Sequence, residues 1–216
     1  MLELHDYWRS SASYRVRIAL EWKRLPFKRA PVHLLRDGGQ QYAPAYRKLN
    51  PQAIVPTLVD GELVIPQSLA ILEYLEEVHP EPPLLPRDAA GRARVRSLAL
   101  AIACETHPLQ NTRVVAHLGE RFGANDEAKA AWNRHFIELG LGAVEQRLAS
   151  EPATGRFCHG DAPTFADLCL VPQLYNAVRW GCDLSGMPTL VRVRDECLAL
   201  EAFQRAMPEA VQTEAG

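Results

Sequence analysis

Hydrophobic residues in the first eighty positions follow the strand period in some segments and the helix period in others. Short runs rich in Leu, Val and Ile predict strands, and apolar residues spaced three and four apart predict helices between them. TLVD and ELVI flank Asp60–Gly61, which favours a hairpin turn, and Pro31 favours an edge position for the second strand. The predicted elements are a strand at 2–6, a helix at 10–23, a strand at 27–34, a short helix around 41–48, the hairpin and a helix at 67–80.

The remainder of the chain shows only the helix period. HPEPPLLPRD (79–88) contains four prolines and is typical of an extended linker. We therefore predict an α/β domain over 1–81, a linker over 82–87 and an all-helical domain over 88–216. The helical patterns of the second domain cover 88–120, 126–149, 163–180 and 187–206.

The sequence TFAD at 164–167 combines Thr and Asp three residues apart at the predicted start of a helix. This spacing is that of a capping box, in which the two side chains satisfy backbone N–H groups at the helix start. We interpret Asp167 as a capping residue that stabilises the start of the helix, and not as a catalytic acid.

Composition and charge restrict the kinds of partner that we expect the protein to bind. The chain has 216 residues and a formal net charge of −2, so it offers no overall positive field for nucleic acid. MLELHDYW at the N-terminus has no basic stretch followed by an apolar run, and no later segment has the length and apolarity of a membrane span. We expect a cytoplasmic protein that acts on small molecules and binds neither nucleic acid nor membrane.

The cysteines and histidines form no disulfide or metal-ligand pattern. Five cysteines are present, an odd number, and none belongs to a C-x-x-C pair. The seven histidines include no H-E-x-x-H motif. We expect reduced thiols and no metal site.

Serines crowd the start of the first predicted helix in YWRSSASYRVRIAL (7–20). One serine is enough to cap a helix, and capping alone is one interpretation of this motif. Ser10 and Ser11, with Arg9 just before them, also describe a place to hold an anion, because the unpaired N–H groups and the dipole make a helix start positive. The residues by themselves leave both interpretations open.

Five segments carry a resemblance that extends over nearly the whole chain. They are, in order, SSASYRVRIAL, KLNPQAIVPTLVDG, IPQSLAILEYLEE, HPLQNTRV and GDAPTFADLCLVPQLYNA. The chain resembles the zeta-class glutathione transferases, and within that class the maleylacetoacetate and maleylpyruvate isomerases. Ala12 departs from the family pattern, which usually has cysteine there. We expect isomerase activity to survive this change, because the family's reaction takes its thiol from glutathione.

The resemblance implies a glutathione transferase fold, with a thioredoxin-like, glutathione-binding α/β domain followed by an all-α, substrate-binding domain, and a homodimer. It assigns activation of the glutathione thiol to Ser10, and the expected catalytic residues are Ser10, Ser11 and Arg9. The residues expected to bind glutathione are Ser10, Ser11, Ala12, Gln41, Val55, Gln67, Ser68, His107, Asn111, Thr112 and Arg113. The residues expected to bind substrate are Arg9, Arg113 and Arg179.

Three of these segments also have a local interpretation. Val55–Pro56 is either a cis-proline bond, which in thioredoxin-like folds leaves backbone free to pair with glutathione, or a simple turn. Ser68 is either only a helix cap or part of a carboxylate site, since LAIL after it supplies no acid. Pro108 should bend the helix predicted there, and its polar neighbours face either solvent or the family's cleft between domains.

The three substrate arginines belong to separate elements that the family's fold brings to one cleft. A guanidinium holds a carboxylate through two parallel hydrogen bonds, and the maleyl keto acids of the family offer two carboxylates. Arg9, Arg113 and Arg179 therefore fit a clamp for a dicarboxylate.

Other arginines have simpler interpretations. Arg92, Arg94 and Arg96 alternate along one predicted helix without sharing a face, which predicts a solvated surface. Arg15 and Arg17 flank the apolar stripe of the first helix, which favours a structural or a dimer-facing role.

The helix predicted over 88–120 carries one apolar stripe formed by Val95, Leu98 and Ile102. Such a stripe packs either against a second subunit or against the core of its own chain. The arginines beside it are candidates to pair with the acids Glu73, Glu76 and Glu77.

By resemblance, the expected activity is glutathione-dependent cis–trans isomerisation of a maleyl keto acid, to fumarylacetoacetate or to fumarylpyruvate. The family's reaction proceeds by thiolate addition, rotation about the resulting single bond and elimination. One alternative is a transferase that conjugates electrophiles or dehalogenates α-haloacids, and another is a non-catalytic interaction module. The three arginines favour the isomerase over the transferase, and the matching glutathione-binding residues argue against the module.

Overall fold

The structure is a computed structural model that describes residues 1–212, and the chain forms two compact units. One unit comprises Met1–Pro83 together with residues 198–212, and the other comprises Leu84–Cys197. The strands are β1 (Leu2–Asp6), β2 (Phe27–Pro31), β3 (Thr57–Asp60) and β4 (Leu63–Pro66). The α-helices are α1 (Ser11–Trp22), α2 (Pro44–Leu49), α3 (Ser68–Val78), α4 (Ala89–Leu100), α5 (Thr112–Phe122), α6 (Asp126–Ser150), α7 (Phe165–Arg179), α8 (Pro188–Leu198), α9 (Glu201–Arg205) and α10 (Pro208–Val211).

The first unit contains a four-stranded mixed sheet in the order β2-β1-β3-β4. β1 and β2 are parallel, while β1 with β3 and β3 with β4 are antiparallel. The predicted order β-α-β-α-β-β-α and the edge position of β2 are both confirmed. β2 ends at Pro31, before the predicted 34, because its partner β1 ends at Asp6, the residue that pairs with Pro31.

The main core of this unit lies between the sheet and two helices. α1 packs against α3. Their apolar residues occur at helical spacing, so one face of each helix is removed from water, which is the main favourable term in folding. The fully buried apolar side chains here are Leu4 and Leu58 on the sheet, Val16, Ile18, Ala19 and Leu20 on α1, and Ile71, Leu72 and Leu75 on α3.

A second cluster of buried side chains involves the loops that carry predicted site residues. Tyr7 and Val55 are buried together with Val32 and Tyr46, and Trp8, Leu34 and Leu49 pack against them. Because Tyr7 and Trp8 precede Arg9 directly, this cluster anchors the chain on which Arg9 and Ser10 stand.

The last described segment of the chain, 198–212, packs with the first unit, whereas the predicted domain division assigns it to the helical domain. The Tyr14 hydroxyl on α1 donates to the Phe203 carbonyl at 3.3 Å, and the Phe203 ring is fully buried. The cause is long-range packing against α1, which the helical periodicity of 187–206 does not encode.

The second unit is built around α7. Twelve of its fifteen residues are buried, and α4 packs against it. Val95, Leu98 and Ile102 are at most 1% exposed within the single chain, so their stripe packs the chain's own core and the dimer interpretation of it is wrong. Glu76 pairs with Lys23 of its own unit at 2.8 Å, so it is not available for the predicted pairing either.

The helix predicted over 88–120 is interrupted. α4 continues into a π-helical turn at Ala101–Thr106 and a 3₁₀ turn at His107–Gln110, and α5 then starts anew at Thr112. Pro108 removes a backbone donor and cannot continue an α-helical ladder, so the predicted bend is a complete break.

The prediction of a solvated surface is wrong for Arg94. Its Nη1 donates to the Cys158 carbonyl at 2.6 Å, its Nη2 donates to the Thr154 hydroxyl at 2.8 Å, and its Nε pairs with Glu151 at 2.5 Å. Arg94 ties α4 to the loop before α7, a long-range role that alternation along a helix does not show.

The capping box predicted at TFAD is present at the start of α7. The fully buried Asp167 carboxylate accepts hydrogen bonds from the Thr164 N–H, the Thr164 hydroxyl and the Cys158 N–H, each at 2.8 Å. Burial raises the pKa of the Asp167 carboxyl, and the hydrogen bond from the Cys158 N–H opposes that rise.

Asp167→Ala is expected to lower the free energy of unfolding by about 3 kcal/mol or more, because it leaves buried N–H groups unpaired. Chemical denaturation would measure this loss. Asp88→Ala is the matched control, because Asp88 caps α4 through one bond from the Gly91 N–H at 2.8 Å and is exposed. Asp88→Ala should lower the free energy of unfolding by about 1 kcal/mol. Equal losses would contradict the special role of Asp167.

Candidate glutathione site

Ser10 is the N-cap of α1. Its Oγ accepts a hydrogen bond from the Ser13 N–H at 3.2 Å. A serine hydroxyl has one proton to donate and two lone pairs, so this capping bond leaves the proton of Ser10 available. Capping and thiol activation are therefore compatible at Ser10. The same hydroxyl can cap the helix and donate its proton, so the two interpretations of this serine do not exclude each other.

The positions after Ser10 form the first turn of α1, which contains no acidic residue. Ser11 is 8% exposed and Ala12 is half-buried. The backbone N–H groups of a first turn have no partner within their own helix, and the dipole adds positive charge. This end of α1 therefore suits a negatively charged group such as a thiolate.

Val55 lies in the loop that leads into β3, and the Val55–Pro56 peptide bond is cis, the first of the two interpretations that the sequence left open. Neither the N–H nor the carbonyl of Val55 forms a hydrogen bond with any residue in the range 1–212. Both groups are available to pair with an extended peptide, the role that we expected for them.

Gln67 and Ser68 form the start of α3. Gln67 has a left-handed backbone (φ 74°) and provides no side-chain cap, and the first turn of α3 contains no acid. The Gln67 amide donates instead to Gln52 Oε1 at 2.7 Å, so Gln52 is a neighbour of this site that the sequence did not indicate. No side chain therefore caps the N–H groups at the start of α3, and a carboxylate can accept hydrogen bonds from them.

Ser68 is buried, and its Oγ accepts a hydrogen bond from Arg15 Nη1 at 3.2 Å. Arg15 is 2% exposed and Arg17 is fully buried, so neither is on a surface and the dimer-facing interpretation of both is wrong. The contact between Arg15 and Ser68 joins α1 to α3 at the candidate site, which no local pattern in the sequence indicates.

Gln41 is buried in the 3₁₀ turn Gln40–Tyr42. Its Nε2 donates to the Leu34 carbonyl at 3.3 Å, and its Oε1 has no hydrogen-bond partner within residues 1–212. Gly39 lies against it, since a Cβ at that glycine would stand 2.6 Å from Gln41 Nε2. The Oε1 atom of Gln41 is therefore a buried acceptor that is open to a ligand N–H.

Arg9 is half-buried between two aromatic rings. Its guanidinium carbon lies 5.4 Å from the centre of the Trp8 ring and 6.0 Å from that of Tyr7. It forms no ion pair with any carboxylate in the described part of the chain. A guanidinium held over ring faces keeps its N–H edges open, which suits the binding of a carboxylate.

The remaining predicted residues belong to the helical unit. His107 begins the 3₁₀ turn, and Asn111 caps α5 by accepting from the Arg113 N–H at 3.1 Å. Thr112 and Arg113 are exposed in the first turn of α5. Arg179 is the last residue of α7, with its guanidinium 5.2 Å from the centre of the Trp180 ring.

Within the helical unit, Gln110 is buried and hydrogen-bonded to the side chain of Asn176. This bond links the turn that follows His107 to α7. Gln110 therefore holds the segment from which Asn111 and Arg113 extend. The periodicity of the sequence did not indicate it as a support.

No helix within residues 1–212 has the length and apolar composition that crossing a membrane would require.

Comparison with known proteins gives a consistent result. Residues 4–83 match the family model of the glutathione S-transferase N-terminal domain. A maleylacetoacetate isomerase of Rhizobium meliloti (strain 1021) is 49% identical over 207 residues, which are 95% of each chain.

Solved structures agree with these sequence matches. The holo structure of a maleyl pyruvate isomerase, described as a bacterial zeta-class glutathione transferase, has 44% identity and a TM-score of 0.94 over 98% of this chain and 99% of its own. A maleylacetoacetate isomerase of Anaeromyxobacter dehalogenans 2CP-1, with dicarboxyethyl glutathione and citrate in its active site, has 45% identity and a TM-score of 0.86 over 100% and 98%. The chain therefore belongs to the zeta class of glutathione transferases, together with the maleylacetoacetate and maleylpyruvate isomerases.

Proposed function

We propose that the protein is a glutathione-dependent cis–trans isomerase of a maleyl keto acid. The observation that carries this proposal is the start of α1, where Ser10 caps the helix and keeps a proton to donate, beside an arginine that has no carboxylate partner in the described chain. The names of the relatives, maleylacetoacetate and maleylpyruvate isomerase, support the same substrate class.

The residues of the first unit fit glutathione. Val55 offers a free backbone N–H and carbonyl to its cysteinyl part, and the start of α3 offers unpaired N–H groups and Ser68 to its γ-glutamyl carboxylate. Gln41 offers a buried acceptor toward its glycyl end. When bound, glutathione supplies the thiolate that adds to the double bond of the substrate and later leaves it.

The chain's own contribution is to stabilise charge. Ser10 donates its proton toward the sulfur position, which favours the thiolate over the thiol. Arg9, Arg113 and Arg179 hold the substrate carboxylates and oppose the negative charge that develops on the keto group, as preorganised groups do in catalysis. Since the nucleophile is not a side chain, Ala12 in place of cysteine is compatible with this scheme.

We further propose that the protein forms a homodimer, the assembly that the family resemblance implies, and acts in the cytoplasm in the breakdown of aromatic compounds. None of the five cysteines, all of which lie within residues 1–212, forms a disulfide, which supports a reducing compartment. The relatives named as isomerases of maleyl keto acids support the metabolic role.

The function is tested by retention on immobilised glutathione, followed by turnover of maleylacetone with catalytic amounts of glutathione. We expect retention, and loss of the ultraviolet absorbance of the cis enone with glutathione regenerated at each turnover. Stoichiometric consumption of glutathione would indicate a conjugating transferase instead. Neither retention nor turnover would indicate a non-catalytic module and contradict the proposal.

A further inference from the structure

Arg15 and Arg17 stand two residues apart on α1 and are both buried, but their surroundings differ. All three nitrogens of Arg17 are bonded, Nη1 to Asp6 Oδ2 at 2.8 Å, Nη2 to the Trp8 carbonyl at 2.9 Å and Nε to the Ala206 carbonyl at 3.0 Å. Arg15 makes one bond, from Nη1 to Ser68 Oγ at 3.2 Å. Its Nε and Nη2 have no hydrogen-bond partner within residues 1–212.

Arg15 therefore carries a buried positive charge without a counter-ion in the described part of the chain. A guanidinium keeps its charge in proteins, and a buried charge that is neither paired nor fully hydrogen-bonded is strongly unfavourable. Arg17 has the pairing that a purely structural buried arginine requires, whereas Arg15 lacks it. Unfavourable groups of this kind are typical of functional sites, where a ligand compensates for them.

The position of Arg15 indicates which ligand group compensates. Because Ser68 Oγ accepts from Arg15, the hydroxyl proton of Ser68 points away from Arg15 and is available to another acceptor. Ser68 is the first residue of α3, whose opening N–H groups have no side-chain cap and no acid beside them. The charge of Arg15, the hydroxyl of Ser68 and the helix start thus all favour an anion at one place.

We propose that Arg15 is a positioning residue for glutathione, which acts through Ser68 and obtains its missing counter-charge from the α-carboxylate of the γ-glutamyl group. This proposal rests on the proposed function, because it takes glutathione as the ligand. Arg15 fixes the Ser68 hydroxyl as a donor and adds positive charge behind it. The ligand-free protein is correspondingly less stable than it would be with an apolar side chain at this position.

Arg15→Met tests the proposal, because methionine fills similar space without charge. Isothermal titration would compare glutathione with γ-aminobutyryl-cysteinyl-glycine, which lacks only the α-carboxylate. The wild-type protein should bind the analogue about 10- to 100-fold more weakly than glutathione, as expected for a lost charge-assisted bond. Arg15→Met should lose most of this discrimination, because only the Ser68 hydroxyl and the start of α3 then favour the carboxylate, and its ligand-free Tm should be higher than that of the wild type.

Two further variants separate this role from packing alone. Arg15→Lys keeps the charge and should keep most of the discrimination between the two peptides. In a Ser68→Ala background, Arg15→Met should have a smaller effect on glutathione binding than in the wild type, since the two residues act through one contact.

The possible failures are distinguishable. An Arg15→Met protein that loses affinity equally for both peptides, or that melts below the wild type, would overturn the role of Arg15. If Arg15→Met does not fold, loss of discrimination in Arg15→Lys together with a lowered Tm would overturn it. A wild-type protein that binds neither peptide would contradict the proposed function itself, and the ligand-free Tm of Arg15→Met would still decide whether the Arg15 charge is unfavourable.

Discussion

Ser10→Ala is expected to lower kcat/KM for maleylacetone isomerisation by about 100-fold or more, the usual effect of removing one preorganised donor from a developing or full negative charge. An ordinary thiol has a pKa of about 8.5, so most of it is protonated at neutral pH without help. In the structure the Ser10 hydroxyl accepts from the Ser13 N–H and keeps its proton for the sulfur. The pKa of the glutathione thiol in the complex should therefore rise in the variant, which the ultraviolet absorbance of the thiolate would measure as a function of pH.

Because Ser10 is also a helix cap, two controls separate the two roles. Ser10→Asp keeps a cap of equal quality but has no proton to donate and adds negative charge, so it should be stable yet at least as inactive as Ser10→Ala. Asn125→Ala removes the cap of α6, where Asn125 Oδ1 accepts from the Ala128 N–H at 2.9 Å. It should cost about 1 kcal/mol of stability and leave kcat/KM unchanged.

Unchanged turnover in Ser10→Ala would move the activation of the thiol to Ser11 or to a backbone N–H. Loss of activity in Asn125→Ala to the same degree would show that stability, and not the Ser10 hydroxyl, limits the reaction. Either result would contradict the role proposed for Ser10.

The local elements could be predicted from the sequence because their causes are local. The turn at Asp60–Gly61, the capping box at Thr164 and Asp167, and the edge position of β2, which Pro31 favours, each depend on a few neighbouring residues. The positions of the predicted site residues on helix starts and loops also follow from such local signals.

The features that the sequence did not predict depend on contacts between distant parts of the chain. Arg15 and Arg17 have the same spacing from the apolar stripe of α1, yet Asp6 pairs with Arg17, whereas within residues 1–212 the side chain of Arg15 donates a hydrogen bond to Ser68 alone. The stripe on α4 was open to two interpretations, and only its packing against α7 decides between them. A one-dimensional pattern shows that a face is apolar or charged, but not what covers that face.

Arg9→Ala and Arg179→Ala are each expected to raise KM for a maleyl keto diacid about 10- to 100-fold, the range for loss of a charge-assisted pair of hydrogen bonds. The KM for glutathione should change by less than about twofold, since neither arginine serves the peptide in this scheme. Both guanidinium groups lie over tryptophan rings, Arg9 at 5.4 Å from Trp8 and Arg179 at 5.2 Å from Trp180. Such stacking fixes the plane of a guanidinium group, and Arg9 has no carboxylate partner within residues 1–212.

The number of carboxylates on the substrate gives a specific test of this prediction. Maleylpyruvate has two carboxylates and maleylacetone has one, so an arginine that holds the second carboxylate should matter for the diacid and hardly for the monoacid. Arg47→Ala is the matched control, because Arg47 lies 5.7 Å from the Tyr42 ring centre and is exposed but is not a predicted site residue. Arg9→Lys should recover only part of the diacid KM, since an ammonium group cannot form the two parallel bonds. Equal increases in KM for glutathione and for the diacid would contradict the clamp, because a group that binds only substrate carboxylate cannot weaken the peptide to the same degree.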